Sequence, residues 1–487
     1  MINVLFASSE AVPYIKTGGL ADVAGTLPAY FDRKTYDVRV ILPKYACMEK
    51  KWQKDLVFLC HFYVDLGWRK QYVGLFKAEH LGVTYYLLDN EFYFGGAQPY
   101  HLIHEDMEKF AYFSKAVLEA IRHMDFAPDI LHCHDWQTGL MPVYLKTIYQ
   151  NDPKLNAIKT VFTIHNLKFQ GRWHLRGMQD MTGLPEYLFT PEYLEFYGEG
   201  NCLKGGVIFA DLVTTVSPSY AAEIRTADGG EGLDGLFRSR GSRLCGIING
   251  IDEREYDPET DPMMYTHFSV DDPDLLDRKH ANKTAFQEET GMPVNPDKFL
   301  MGIVGRMTDQ KGYDIIAYML EEMLSSGRYQ FAVLGTGEER YQDMFRFFAG
   351  KYPDRITVTV GYSEELAHKI YASADAFLMP SLFEPCGLSQ IISMRYGTVP
   401  IVRETGGLKD TVDPYNEYEK KGTGFSFANY NAHEMYGTIF YAYDLYQNHP
   451  AEWEALMRRI MRQDFSWHTS VEQYAKLYQR LMNEKRE

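Results

Sequence analysis

Lys16-Thr17-Gly18-Gly19, which opens the stretch Lys16 to Val23 shortly after the apolar run Val4 to Ala7, joins a lysine to paired glycines at the end of an expected strand. Paired glycines let the backbone approach an anion closely, successive N–H groups cradle it, and a following helix N-terminus adds a favourable partial charge. Lys16 adds a mobile cation suited to a phosphate. Thr405 to Val412 repeats the Thr-Gly-Gly-Leu turn with an Asp two residues on, but no lysine precedes it and Arg403 stands one residue further out. Such a turn alone is also an ordinary strand-to-helix connection. Its recurrence suggests two similar domains, and the lysine suggests a ligand at the first copy.

In the second half, Gly305-Arg306 follows an expected strand and Lys311-Gly312 comes five residues later. Two cations then stand at the carboxyl end of a sheet strand, where ligands bind in doubly wound folds, and they can offset a diphosphate leaving group. Ser381 to Gln390 places Glu384 just before a helix start, so that the N–H groups of Gly387, Leu388 and Ser389 are expected to face a phosphate while the carboxylate faces what the phosphate carries. In the first half, His132-Cys133-His134-Asp135-Trp136 and His165-Asn166 each end an expected strand. The His-x-His pair lacks a third metal ligand, and no metal is expected. His, Asn and Asp suit sugar hydroxyls, and Trp136 suits a sugar face. Asn249-Gly250-Ile251-Asp252 is either a further polar contact or a simple turn. The aromatic cluster Trp173, Tyr187, Phe189, Tyr193, Phe196 and Tyr197 fits a glucan groove or, for most of its members, the core.

The elements that must position these groups are legible as two series of short β-rich runs separated by helical patterns. The first is Val38 to Leu42, Asp129 to Cys133, Thr160 to Ile164, Leu212 to Val216 and Leu244 to Ile248. The second is Phe299 to Val304, Phe331 to Leu334, Ile356 to Val360, Ala376 to Met379 and Pro400 to Val402. This alternation predicts two doubly wound α/β domains with a ligand cleft between them. Closely spaced β-rich runs from Leu56 to Leu88 predict an antiparallel addition to the first, and Asp252 to Asp277, rich in Asp and Pro, reads as the linker. Trp467, Val471, Tyr474, Ala475, Tyr478 and Leu481 share one face of a terminal amphipathic helix. The domains are expected at 1–252 and 253–465, with the helix at 466–487.

At 487 residues the chain exceeds one ordinary core, and its net charge of -16 argues against nucleic acid as a partner. The 6 scattered cysteines contain no Cys-x-x-Cys pair and predict reduced thiols in a cytoplasmic protein. No basic leader and no run long enough to span a bilayer is evident, so no membrane association is expected.

These motifs together resemble bacterial glycogen synthase, of the group shared with plant starch synthase. The match runs nearly end to end, through Lys16 to Val23, His132 to Trp136, Phe162 to Asn166, Asn249 to Asp252, Gly305 to Gly312, Glu384 to Gln390, Thr405 to Val412 and Asp464 to Trp467. The resemblance implies a GT-B fold, with two Rossmann-like domains facing across a cleft and the terminal helix crossing back to the first. It implies retaining transfer of glucose from ADP-glucose to the 4-hydroxyl at the non-reducing end of an α-1,4-glucan, with ADP released and no cofactor. It places Lys16, Arg306 and Lys311 on the phosphates, with backbone around Leu388 and Ser389. Asp22 and Tyr362 are then placed toward the nucleoside, and His165, Asn249, Glu384 and Cys386 around the donor glucose. Asp135, Trp136 and Asn166 lie toward donor sugar and acceptor, and Tyr100, Gly18, Gly19 and Gly387 complete the substrate-binding set. Glu384, His165, Lys311 and Arg306 are the expected catalytic groups. Departures from the family pattern are Ser389 for Thr, Leu167-Lys168-Phe169 after His165-Asn166, and Ile392 where some relatives carry a second Glu. A GT-B glycosyltransferase with another donor, such as UDP-glucose, or another acceptor, and a catalytically silent glucan-binding protein are the alternative readings.

Overall fold

The computed structural model describes residues 1–484 and divides the chain into two compact units. One contains residues 1–250 together with the described residues from Trp467 onward, and the other contains residues 251–466.

In the first unit the aliphatic runs form parallel strands β1 (Ile2–Ala7), β2 (Tyr36–Pro43), β6 (Ile130–His134), β7 (Lys159–Ile164), β11 (Leu212–Thr215) and β12 (Leu244–Gly246). Their side chains are buried on both faces, as near-continuous apolar sequences require. The expected addition is present as β3 (Val57–Leu66), β4 (Arg69–His80) and β5 (Val83–Asp89). β4 runs antiparallel to both neighbours, and β5 pairs parallel with β2. Among the described residues the sheet has nine strands in the order β12-β11-β7-β6-β1-β2-β5-β4-β3. Its order reverses at β1, where Val4 aligns with Val38 on one side and Ile130 on the other. A reversal of this kind is the place where open α/β sheets bind ligands, beyond the carboxyl ends of the strands.

A small sheet of β8 (Arg172–His174), β9 (Glu195–Phe196) and β10 (Glu199–Asn201) was not expected. The terminal helix Trp467–Asn483 buries Trp467, Val471, Tyr474, Tyr478 and Leu481 in the core of this first unit. Tyr478 stacks on Phe31, and its hydroxyl meets His132 Nδ1 at 2.6 Å. Each such side chain withdrawn from water contributes about 1.5–3 kcal/mol, so the helix is part of the core although it is last in the chain.

The second unit repeats the plan with β13 (Phe299–Val304), β14 (Tyr329–Gly335), β15 (Ile356–Val360), β16 (Ala376–Met379), β17 (Val399–Arg403) and β18 (Phe425–Phe427), all parallel. Their order is β15-β14-β13-β16-β17-β18, with the reversal between β13 and β16. Asp375, just before β16, accepts from Leu300 N on β13 and pairs with the buried Lys283 ammonium at 2.6 Å, which fixes the two strands at that reversal. The segment read as a linker, Asp252 to Asp277, is instead packed into this unit: Phe268 is buried, and the Asp261 carboxylate bonds His368 and Tyr396. Its Asp and Pro residues form capped turns, such as Met263 N onto Asp261, which the absence of periodicity concealed.

Candidate active site

At the end of β1 the chain turns through Ser8 and Ser9 to Glu10, a buried carboxyl. Glu10 accepts from the backbone N–H and hydroxyl of Thr17 and from the Tyr100 hydroxyl. The loop carrying Lys16 is thus tied to the strand end by one side chain. Burial raises the Glu10 pKa, and the bonds from Tyr100 and Thr17 act against that rise. Gly18 precedes the helix Gly19–Thr26, and a Cβ on it would meet nothing within 4 Å, so the space beside Gly18 in front of that helix start is open. Lys16 Nζ pairs with Asp22 at 2.8 Å, both side chains being partly exposed.

At the end of β6, Asp135 has φ 58 and ψ −179, a conformation nearly confined to glycine, and it costs of order 1–3 kcal/mol for a residue with a side chain. The turn aims its carboxylate at the end of β7, where it accepts from His165 N at 2.7 Å and Asn166 N at 3.4 Å. Desolvation lifts its pKa to about 7 against those two bonds, with a smaller push from the Glu10 charge. His165 Nε2 meets His134 Nδ1 at 3.0 Å, and burial lowers the His165 pKa to about 3, so the imidazole is neutral. Of the His-x-His pair, His132 is spent on Tyr478 and Thr163, at 2.6 Å each. The indole of Trp136, expected at a sugar face, is a core ring 7% exposed, edge-on to Phe110 and filling the space a Cβ on Gly171 would take. The Tyr100 hydroxyl, expected on substrate, is engaged with Glu10 and Ser9. Asn249 is buried, and its Oδ1 has no hydrogen-bond partner among the described residues. The aromatic cluster divides: Phe196 is buried, whereas Tyr187 and Tyr197 are exposed.

In the second unit the loops at the β13/β16 reversal carry the charged groups. Lys311 Nζ reaches Glu384 Oε2 at 2.5 Å, and Ser381 Oγ donates to the same oxygen at 3.1 Å. Glu384 is 5% exposed, so its carboxylate is held in place by a cation and a hydroxyl with little water. Gly312 has φ +76, and a Cβ there would lie 2.1 Å from Pro380 O; the glycine lets the Lys311 turn sit against the strand end. Cys386 is buried, and Gly387, at φ +73, leads through Leu388 into the helix Ser389–Arg395. Gln390 Nε2 closes that turn onto Cys386 O and Gly387 O, each at 3.0 Å. Arg306 and Tyr362 are exposed just past the ends of β13 and β15.

Sequence reasoning missed how this loop is supported. The second Thr-Gly-Gly-Leu turn lies against it: Gly407 N donates to Glu384 O, and Cβ atoms on Gly406 and Gly407 would lie 2.0 Å from Glu384 O and 2.1 Å from Cys386 O. Arg403 donates to Leu382 O at 2.6 Å. The two copies of the turn therefore differ in work, and the lysine in front of the first was the available signal. Glu10 had no such signal, because its role exists only once the loop is folded over it.

Residues 3–239 match the family described as Starch synthase catalytic domain, and residues 286–454 match Glycosyl transferases group 1. The chain is 57% identical to the glycogen synthase of Lachnospira eligens, over 99% of this chain and 100% of that one. It is 48% identical to that of Geobacillus stearothermophilus, over 99% and 98%. Among solved structures, the catalytic domain of starch synthase IV from Arabidopsis thaliana bound to ADP and acarbose superposes with TM-score 0.92 at 33% identity, covering 99% of both chains. A sucrose-phosphate synthase from Thermosynechococcus elongatus, at 16% identity and TM-score 0.62, shares the fold.

Proposed function

The chain belongs to the glycogen and starch synthase family of GT-B glycosyltransferases, and from that premise we propose that it moves glucose from ADP-glucose to the non-reducing 4-hydroxyl of an α-1,4-glucan. The observation that carries the reading is the Lys311–Glu384 pair, seated at the strand reversal beside the Gly387 turn.

In this reading Arg306, Lys311 and Lys16 neutralise the donor diphosphate, with the backbone of Gly387, Leu388 and Ser389 assisting. Asp22 and Tyr362 serve the nucleoside, and His165, Asn249 and Cys386 serve the glucose. As the anomeric carbon parts from the phosphate oxygen, positive charge develops on the sugar ring, and the fixed carboxylate of Glu384 stabilises it. The acceptor oxygen bonds the anomeric carbon from the face the phosphate leaves. Its proton passes to the departing phosphate oxygen, so configuration is retained without a protein nucleophile. Neutral His165 offers a hydrogen bond without adding a positive charge beside that carbon. Asp135 and Asn166 lie toward the acceptor. The cations of the chain supply the charge the leaving group needs, and the reading calls for no cofactor.

Turnover with ADP-glucose and UDP-glucose, each with and without glycogen, tests this. We expect glycogen-dependent ADP release at a rate well above that with UDP-glucose. Preference for UDP-glucose, or binding of glucan without turnover, would replace it with one of the alternatives.

A further inference from the structure

We propose that the second unit carries a divalent metal site for a zinc-class ion, built from Glu255, Glu364 and His368 and outside the transferase machinery. One ligand atom from each of the three residues lies within 4.8 Å of the others. Glu364 and His368 stand four residues apart on the helix Glu364–Ser373, so they share a face, and Glu255 comes to them from the turn after Asp252.

The histidine carries the argument. His368 is 1% exposed, and its Nδ1 meets the buried carboxylate of Asp261 at 2.7 Å. Asp261 is itself fixed by the Tyr396 hydroxyl and Met263 N. A carboxylate on Nδ1 sets the tautomer that leaves a lone pair on Nε2, the arrangement by which proteins orient metal-binding histidines. Nε2 is buried and has no hydrogen-bond partner among the described residues. Tyr256 stacks on the ring at 5.0 Å and holds its plane. A buried imidazole nitrogen left unbonded costs stability unless something accepts its lone pair. With Nδ1 taken by Asp261, Nε2 is the ring nitrogen left to bind a metal.

One imidazole with two carboxylates suits zinc or a neighbouring first-row ion better than calcium or magnesium, which favour all-oxygen shells. Ligand bonds of about 2.1 Å in a tetrahedron place ligand atoms about 3.4 Å apart, a contraction that glutamate rotamers supply. Bound metal would fasten the turn bearing Glu255 to the helix of Glu364 and His368, a few residues after the chain enters the second unit.

The test uses the full-length untagged chain, stripped with chelator and titrated with Zn2+ and Co2+, beside the double variant Glu255→Gln, Glu364→Gln, whose exposed positions leave the fold intact. Expected are one equivalent of Zn2+ bound, a rise in Tm on binding, and visible Co2+ bands without a thiolate charge-transfer band. The double variant should bind at least about tenfold more weakly and lose the rise in Tm. Absence of saturable binding, unchanged affinity in the double variant, or a thiolate band would each overturn the proposal.

Discussion

Asp135 shows most clearly what burial does to a single group. Its carboxyl keeps a proton to about pH 7 in the folded chain, whereas an unfolded Asp releases it near 4. Between those values the folded chain binds the extra proton, so this group's contribution is full below about pH 4, is lost as pH rises, and is gone above about 7. Asp135→Asn removes the dependence while keeping an oxygen for His165 N. Its stability relative to the parent chain should therefore improve by about 3 kcal/mol between pH 5 and pH 8. Urea unfolding at the two pH values measures this, and an equal difference at both would show that burial does not place the Asp135 titration between them. The places of Lys16, Lys311 and Glu384 in loops beyond strand ends were legible because glycines mark those loops in sequence. The burial of Trp136 was not legible, because its type and position suit both a sugar face and a core, and the packing of Phe110 and Gly171 around the ring appears only in the fold.

Elements transmit those groups into position, and the loop Glu384–Gly387 depends on the turn that buttresses it. Gly406 has φ +44, and a Cβ there would fall 2.0 Å from Glu384 O. Gly406→Ala must push the loop away, and displacement of about 1 Å costs roughly a hundredfold in rate. Turnover should fall by that order while the unfolding transition of the first unit stays unchanged; normal turnover would mean that the turn does not set the position of Glu384. The parallel strands were legible from their apolar runs, and the antiparallel addition from the crowding of such runs. The sheet β8-β10-β9 was not, since two- and three-residue strands leave no periodicity. The segment after Asp252 was misread for a related reason: its order comes from buried Asp261 and capped turns, which composition reports only as polarity.

At the scale of the whole chain, the first unit is completed by the last helix, so its stability depends on residues more than two hundred positions from the rest of its core. Trp467→Ala should destabilise that unit by about 3–5 kcal/mol and lower its calorimetric transition while leaving that of residues 251–466 in place. A uniform shift of both would contradict the division. The helical face was legible in the sequence by its spacing, and its place in the first unit's core comes from the structure. Among the described residues no helix is long and apolar enough to cross a membrane. In the proposed reaction, fixed charges, Glu384 foremost, stabilise departure of the diphosphate from the bound sugar nucleotide. The most direct test of this is turnover of ADP-glucose with glycogen by Glu384→Gln, alongside the affinity of the same variant for ADP. A fall in kcat of about a hundred- to a thousandfold with ADP affinity preserved is expected. Near-normal turnover with ADP still bound would contradict it.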